Sequence, residues 1–291
     1  MVLIEFLRAS PAVFITVTGV MGLMVGSFLN VVIYRLPLML EREWRAQCAE
    51  LLGQSSDPAG QKPFNLVVPR SHCPQCGHVV RALENIPVLS YLALQGRCSA
   101  CGARISLRYP AVELLTGLLS VIVAWHFGYG AQTAGALVLT WVLIPLSVID
   151  IDRQLLPDVI TLPFVWVGLA LSLPGLFTDP RSSIIGALAG YLFLWALFKL
   201  FKRLTGRDGM GYGDFKLLAL LGAWLGWQAL PVILFLASLA GAAVGVALIV
   251  FRGRDRRQPI PFGPYLAAAG WIALLWGGDI TRAYLTWARL P

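Results

Sequence analysis

The sequence predicts an all-α polytopic membrane protein with about eight transmembrane helices and a cytoplasmic zinc-binding insertion between the first and second helix. The first observation is composition: 57% of the 291 residues are hydrophobic and 13% are charged, against roughly 45–50% and about 25% in soluble domains. The second is the recurrence of uncharged runs near the ~20 residues that cross a bilayer as a helix. The third is one long polar insertion, which holds all five cysteines.

The uncharged runs are separated by charged or Pro/Gly-bearing breaks. The eight predicted spans are Ala12 to Ile33, Ala111 to Phe127, Ala131 to Ile149, Val159 to Leu176, Ser183 to Leu200, Phe215 to Trp227, Leu230 to Phe251 and Phe262 to Trp276. The first is too long for a signal peptide and lacks a cleavage site of small residues, so we expect it to be retained. The sixth falls short of ~20 residues, and the sequence leaves open whether it tilts, extends past Trp227 or begins beneath the membrane surface.

Basic residues orient the spans, because Lys and Arg are retained on the cytoplasmic side. With the N-terminus outside, 19 of the 23 basic residues fall in cytoplasmic segments, and only Arg8, Arg181, Arg282 and Arg289 lie outside. This asymmetry accounts for the net charge of +8 without a nucleic-acid partner. The expected partner of the basic loops is the anionic lipid surface.

The polar insertion, Arg35 to Arg108, carries two Cys-x-x-Cys pairs. These are Cys73 with Cys76, and Cys98 with Cys101, and a glycine follows each pair. Four thiolates in two such turns are a typical structural zinc site. Two disulfides or a redox-active pair are the alternatives, but a cytoplasmic loop keeps its thiols reduced and a redox dithiol would need only one pair.

Acidic residues are few, and several lie where spans meet the cytoplasm. Asp150, Asp152 and Asp158 follow the third span, and Asp214 precedes the sixth. Ionisable groups at the hydrocarbon boundary are costly and indicate function. Asp150 directly ends an uncharged run, and Asp152 would lie on roughly the opposite face of the helix at about 100° per residue.

Two facing carboxylates can hydrolyse a peptide without a metal. One takes a proton from water while the other, protonated, polarises the scissile carbonyl, so a shared proton serves both roles. Structural alternatives remain open for three of the four acids: Asp214 and Asp158 could be N-caps of their helices, and Asp152 could pair with Arg153.

A run of alternating glycines precedes Asp214. Gly209, Gly211 and Gly213 disfavour a helix by about 1 kcal/mol each, so we expect a flexible or extended segment. Such a segment lets a substrate backbone approach closely. An ordinary glycine-rich turn is the alternative.

Seven segments, taken together and in order, resemble the type IV prepilin peptidase family, which comprises membrane aspartic proteases. The segments are GSFLNVVIYRLP at 26–37, both cysteine pairs, ENIPVLSYLALQGRC at 84–98, RYPAVELLT at 108–116, DIDRQLLPD at 150–158, GMGYGDFK at 209–216 and IPFGPYLAAAGW at 260–271. They run through nearly the whole chain, which makes the match specific.

The resemblance implies an activity and a location. The family removes the short basic leader from prepilins and pseudopilins, on the cytoplasmic side of the bacterial inner membrane. Its catalytic aspartates correspond to Asp150 and Asp214 here, and its Gly-x-Gly-Asp motif to Gly211, Tyr212, Gly213 and Asp214. Proteases of this type act through the aspartates alone.

The cysteine-bearing insertion implies a second activity. Many members that carry it also methylate the new N-terminal amine, with S-adenosylmethionine as donor. The alternative is a peptidase whose zinc loop only supports structure or docks substrate. No glycine-rich nucleotide-binding pattern follows a strand in this chain. Weak candidates for the donor site are Glu84, Asn85, Gly96, Arg97, Arg108 and Glu113, of which Arg108 and Glu113 could equally be a structural pair.

These expectations divide the chain into three parts. The parts are the first span, 1–34, a cytoplasmic zinc loop, 35–109, and a seven-helix peptidase domain, 110–291.

Two other classes of protein share some of these sequence features. A proton-coupled transporter would hold its acids near the bilayer midplane, often within internal repeats, whereas here they cluster at one face. A zinc-organised scaffold would use the cysteines and ignore the aspartates.

Overall fold

The computed structural model describes residues 2–53, 63–206, 209–252 and 260–288. Some basic residues that contribute to the orientation prediction, in 54–62 and 253–259, lie outside the described residues. Within these ranges the fold is all-α, as predicted, and the extended pairs that occur there are isolated bridges. The helices are α1 (Val2–Ala9), α2 (Pro11–Leu51), α3 (Leu89–Ala93), α4 (Arg108–Phe127), α5 (Ala131–Arg153), α6 (Asp158–Ser172), α7 (Pro180–Thr205), α8 (Tyr212–Leu225), α9 (Leu230–Arg252) and α10 (Gly263–Ala288).

A helix lies at each of the eight predicted spans, but the count of eight spans is not confirmed. Among the described residues, five helical segments are long and apolar enough to cross a membrane: Pro11–Leu51, Arg108–Phe127, Ala131–Arg153, Pro180–Thr205 and Trp227–Phe251. Helices α6 and α8 have 15 and 14 residues. At 1.5 Å per residue, α8 is about 21 Å long, shorter than the ~30 Å hydrocarbon core.

The chain forms two compact units, Met1–Tyr129 and Gly130–Pro291. In the first unit α2 packs closely along α4. A Cβ on Gly22 would lie 3.0 Å from the Cα of Gly117, and one on Gly26 would lie 2.8 Å from the Cα of Glu113. Small residues therefore permit this contact, as the Gly-x-x-x-Gly frame of α2 predicts. The helix continues beyond the predicted span, through Pro37, to Leu51.

The second unit is built around α8. This helix packs against α6, α7 and α10, and its side chains from Phe215 to Trp224 are almost all buried. Gly186 of α7 and Gly222 of α8 bring their backbones into direct contact. On another side, the indole N–H of Trp224 donates to the carbonyl of Phe164 in α6, at 2.8 Å. The apolar side chains of the short sixth run are therefore buried against neighbouring helices.

Candidate functional site

Asp150 lies in the last turn of α5, with its carboxylate buried. The helix ends at Arg153, and the N–H of Gln154, the C-cap residue with a left-handed backbone (φ 52°), donates to the carbonyl of Asp150 at 2.9 Å. Asp150 is only 5% exposed. Its Oδ2 accepts a hydrogen bond from the backbone N–H of Gly263, at 3.0 Å. Gly263 is the first residue of α10, so the carboxylate binds one of the N–H groups that a helix start leaves unpaired.

Asp214 lies in the first turn of α8 and is also buried, at 7% exposure. Helix α8 begins at Tyr212, and Gly211 is its N-cap, with extended backbone at φ −82° and ψ 150°. The alternative of Asp214 as the N-cap is therefore wrong. The backbone is extended at Gly211, as predicted, whereas Gly213 is already helical.

The fold brings the two aspartates together, although 64 positions separate them in sequence. They are close enough for the charge of Asp150 to act on Asp214. Leu156 lies close to the surroundings of both: a Cβ on Gly213, next to Asp214 in α8, would lie 2.8 Å from the Cβ of Leu156, and one on Gly263, the hydrogen-bond partner of Asp150, would lie 3.2 Å from its Cδ1. The two buried carboxylates thus lie in one region of the second unit, where α5, α8 and the start of α10 meet.

The other two acids of the cluster take different places. Asp152 is exposed where Asp150 is buried, as its predicted position on the opposite face requires. Asp158 is the first residue of α6, and Pro157 occupies the N-cap, so the N-cap alternative is wrong here too. Both oxygens of Asp158 accept from Nζ of Lys216 at 2.7 Å. No local sequence signal pairs these residues, which lie on different helices.

The four predicted zinc ligands meet in the first unit. The Sγ atoms of Cys73, Cys76, Cys98 and Cys101 all lie within 4.8 Å of one another. The separation is 3.8 Å between Cys73 and Cys101 and 4.0 Å between Cys76 and Cys98. Zn–S bonds of ≈ 2.3 Å in a tetrahedron place the sulfurs about 3.8 Å apart, so the geometry of these residues fits zinc. The fifth cysteine, Cys48, is exposed on α2.

The two cysteine turns have the same local structure. In each, the N–H of the first cysteine donates to a carbonyl five residues later, that of His78 or Ala103. In each, the glycine after the second cysteine has a left-handed backbone, with φ 73° at Gly77 and 70° at Gly102, and isolated bridges flank the turns. The pairs thus form two equivalent knuckles facing one another.

Glu84, a weak candidate for the methyl-donor site, links the two knuckles. It accepts hydrogen bonds from the hydroxyl of Ser99 at 2.6 Å and the backbone N–H of Arg81 at 2.8 Å. Nε2 of His78 lies 3.1 Å from Oε2 of Glu84, the oxygen that also accepts from Arg81. These bonds, that to Arg81 first, lower the pKa of Glu84 to about 2. Glu84 is therefore ionised near neutral pH, and its contacts indicate a structural part.

The remaining candidates for the donor site are dispersed along the first unit. Glu113 is buried in α4 and accepts from the N–H of Val88 at 2.8 Å. Gly96 is buried at φ 67°, against the ring of Tyr91. Asn85, Arg97 and Arg108 are exposed.

Buried carboxylates in a helical unit with membrane-spanning helices, next in sequence to a four-cysteine module, define a polytopic membrane enzyme. Two family models match the chain: the bacterial peptidase A24 N-terminal domain over residues 20–127 and the type IV leader peptidase family over residues 137–246. The chain belongs to the type IV leader peptidase family. It is a bifunctional enzyme, a protease and a methyltransferase, and a multi-pass inner-membrane protein.

Curated relatives match along nearly the full length. Three of them are each named prepilin leader peptidase/N-methyltransferase. The protein of Aeromonas hydrophila is 57% identical over 284 residues, with 98% of each chain covered. That of Pseudomonas aeruginosa is 56% identical over 288 residues and that of Stutzerimonas stutzeri 54% identical over 287, with 99% of each chain covered. No solved structure matches the chain.

Proposed function

We propose that this enzyme removes the leader peptide of type IV prepilins and pseudopilins by a two-aspartate mechanism and then methylates the new N-terminal amine. The names of the relatives support prepilins as a substrate and the presence of both activities. The observation that carries the mechanism is the approach of Asp150 and Asp214, the buried aspartates of the second unit. The excess of Lys and Arg in alternate loops supports a cytoplasmic position for the site.

The hydrolysis follows from two carboxylates that hold one proton between them, since adjacent like charges cannot both ionise cheaply. The protonated member donates a hydrogen bond to the scissile carbonyl oxygen. The ionised member accepts a proton from water as the water oxygen bonds to the carbonyl carbon. The C–N bond then breaks, and a proton from the dyad passes to the leaving amine. The two groups titrate as a pair, so neither residue is assigned a fixed role.

The surroundings of the dyad suit this chemistry. The N–H of Gly263 holds one oxygen of Asp150 and so fixes the position of its carboxylate. At Asp214 the extended backbone of Gly211 precedes the helix, and a Cβ added there would meet nothing closer than 3.9 Å. This open backbone is where we place the approach of the substrate chain.

Asparagine substitutions test the dyad. Asp150→Asn and Asp214→Asn keep the shape and an oxygen acceptor but remove the proton exchange, so we expect cleavage of a prepilin in a reconstituted assay to fall by at least about 10²–10⁴-fold, the typical contribution of a general acid or base. Asp152→Asn, at the exposed acid two residues along, is the matched control and should cleave normally. Retained cleavage in both dyad variants, with the protein folded, would refute the mechanism.

S-adenosylmethionine is the proposed methyl donor, and zinc the proposed metal of the four cysteines. Zinc would be held by Cys73, Cys76, Cys98 and Cys101 and would supply structure to a loop too small to form its own core. Mass spectrometry of the processed substrate, with and without the donor, tests the methyl transfer. A product whose mass is unchanged by the donor would favour the alternative, a peptidase whose zinc loop supports structure or docking alone.

A further inference from the structure

The segment Ala82–Gly96, which joins the two cysteine knuckles, exposes an unusual number of large apolar side chains. Leu83 is 79% exposed, Leu89 is 66% exposed and Leu92 is 65% exposed. Glu84 is the only charged residue of the segment, and it is bonded to His78 and Ser99 of the knuckles. The charged side chain of the segment therefore bonds to the cysteine knuckles, whereas its three leucines are exposed.

A hydrogen bond ties this segment to one position along the membrane-spanning helix α4. The N–H of Val88 donates to Oε2 of Glu113, at 2.8 Å. Glu113 lies five residues after Arg108, the start of α4, and at 1.5 Å per residue this is about 8 Å into the helix. The backbone at Glu113 also contacts Gly26, in the interior of the long uncharged run of α2. Val88, just before the exposed leucines of α3, is thus held about 8 Å from the start of α4, a distance that matches the ≈ 5–10 Å depth to which interfacial segments insert.

The same unit already presents apolar side chains outward near this level. Leu107, just before α4, and Leu114, within it, are 73% and 52% exposed. Exposed basic residues, Arg81 and Arg97, lie at the two ends of the segment. Apolar side chains between cations are typical of segments that lie in the membrane interface and attract anionic headgroups.

We propose that Ala82–Gly96 is an interfacial anchor, which inserts Leu83, Leu89 and Leu92 into the lipid bilayer and holds the four-cysteine module against the membrane surface. The hydrogen bonds that hold the anchor are to residues of the first unit, His78, Ser99 and Glu113. Its occupant is lipid, since the segment is bonded to Glu113 of α4, whose neighbour Leu114 is exposed as the leucines of the segment are, and since cations lie at both ends of the segment.

Photocrosslinking of the full-length enzyme in nanodiscs of phosphatidylethanolamine and phosphatidylglycerol tests this anchor. Leu89 or Leu92 is replaced by p-benzoylphenylalanine, and the control position is Gln75, an exposed residue of the first knuckle. We expect about tenfold more lipid adduct at either leucine than at Gln75, because interfacial side chains reach ≈ 5–10 Å into the headgroup and acyl boundary. Adducts to protein instead of lipid, or lipid adducts no more frequent than at Gln75, would overturn the proposal.

Hydroxyl-radical footprinting of the unsubstituted enzyme in the same nanodiscs gives a second measurement that needs no variant. Val67, on a loop of the same unit, is 79% exposed, as Leu83 is. The proposal expects strong protection of Leu83, Leu89 and Leu92 from oxidation relative to Val67. Equal oxidation would contradict it, whatever the cleavage and methylation activities of the enzyme.

Discussion

The backbone N–H of Gly263 donates a hydrogen bond to Oδ2 of Asp150, across 113 positions of sequence and a distance of 3.0 Å. The contact ties the first turn of α10 to the last turn of α5. It also makes Gly263 sterically necessary, because a Cβ there would lie 2.7 Å from the same oxygen.

Gly263→Ala is therefore expected to impair cleavage while the protein still folds. The new methyl group must displace the Asp150 carboxylate, and a misplaced catalytic group costs about 10²-fold in rate. Gly278→Ala is the matched control in the same helix, since a Cβ at Gly278 meets nothing within 4 Å. Initial rates of prepilin cleavage, with thermal unfolding as the check on folding, measure the effect. Equal rates in the two variants would show that the carboxylate position is not critical.

The two glycines of the Gly-x-Gly-Asp motif have different surroundings. A Cβ on Gly213 would lie 2.8 Å from the Cβ of Leu156. The atom nearest to a Cβ on Gly211 would be Oδ2 of Asp214, at 3.9 Å. Gly213→Ala should thus lower stability by about 1–3 kcal/mol through overpacking, and Gly211→Ala should leave it unchanged.

Cleavage kinetics then separate the roles of these glycines. If the substrate backbone passes along Gly211, alanine there raises KM for the prepilin while Tm stays at the wild-type value. A loss of Tm in Gly211→Ala equal to that in Gly213→Ala would contradict this division of roles.

Lys216 and Asp158 form an ion pair between α8 and α6, and we expect it to serve structure alone. Their side chains are 26% and 53% exposed, so the pair should contribute no more than about 1 kcal/mol. Lys216→Met and Asp158→Asn should each lower Tm slightly, and the double variant should cost less than the sum of the two. Cleavage should remain within a few-fold of wild type. A drop in rate comparable to that of Asp150→Asn would instead place Asp158 in the chemistry.

Sequence reasoning was most successful where the signal is local. Uncharged runs predict the helices, because backbone groups inside a membrane must be satisfied within the segment. The cysteine pairs predict the four-thiol cluster, because the ligand spacing is itself the geometry of a knuckle. The pairing of Asp150 with Asp214 needed topology and family resemblance together.

What the sequence could not supply depends on packing between distant segments. Gly263 has no side chain to mark it as the partner of Asp150, and nothing local in the sequence links Lys216 to Asp158. For the short sixth run the sequence gives only an apolar pattern, because lipid and protein interior are equally apolar. The structure adds that α8 packs against α6, α7 and α10.

Removal of the metal ligands should separate the two activities of the enzyme. In the double variant Cys73→Ser, Cys98→Ser, each knuckle loses one thiolate, so bound zinc should fall from about one per chain to background, since a structural Zn²⁺ site needs all four ligands. Both dyad aspartates lie in the other unit, so prepilin cleavage should persist while methyl transfer is lost.

Cys48→Ser is the matched control, because Cys48 lies outside the four-thiol cluster, and it should retain metal and both activities. Metal analysis by mass spectrometry alongside the two assays decides the matter: equal zinc in the double variant and wild type would refute the site, and loss of cleavage together with zinc would refute the independence of the peptidase.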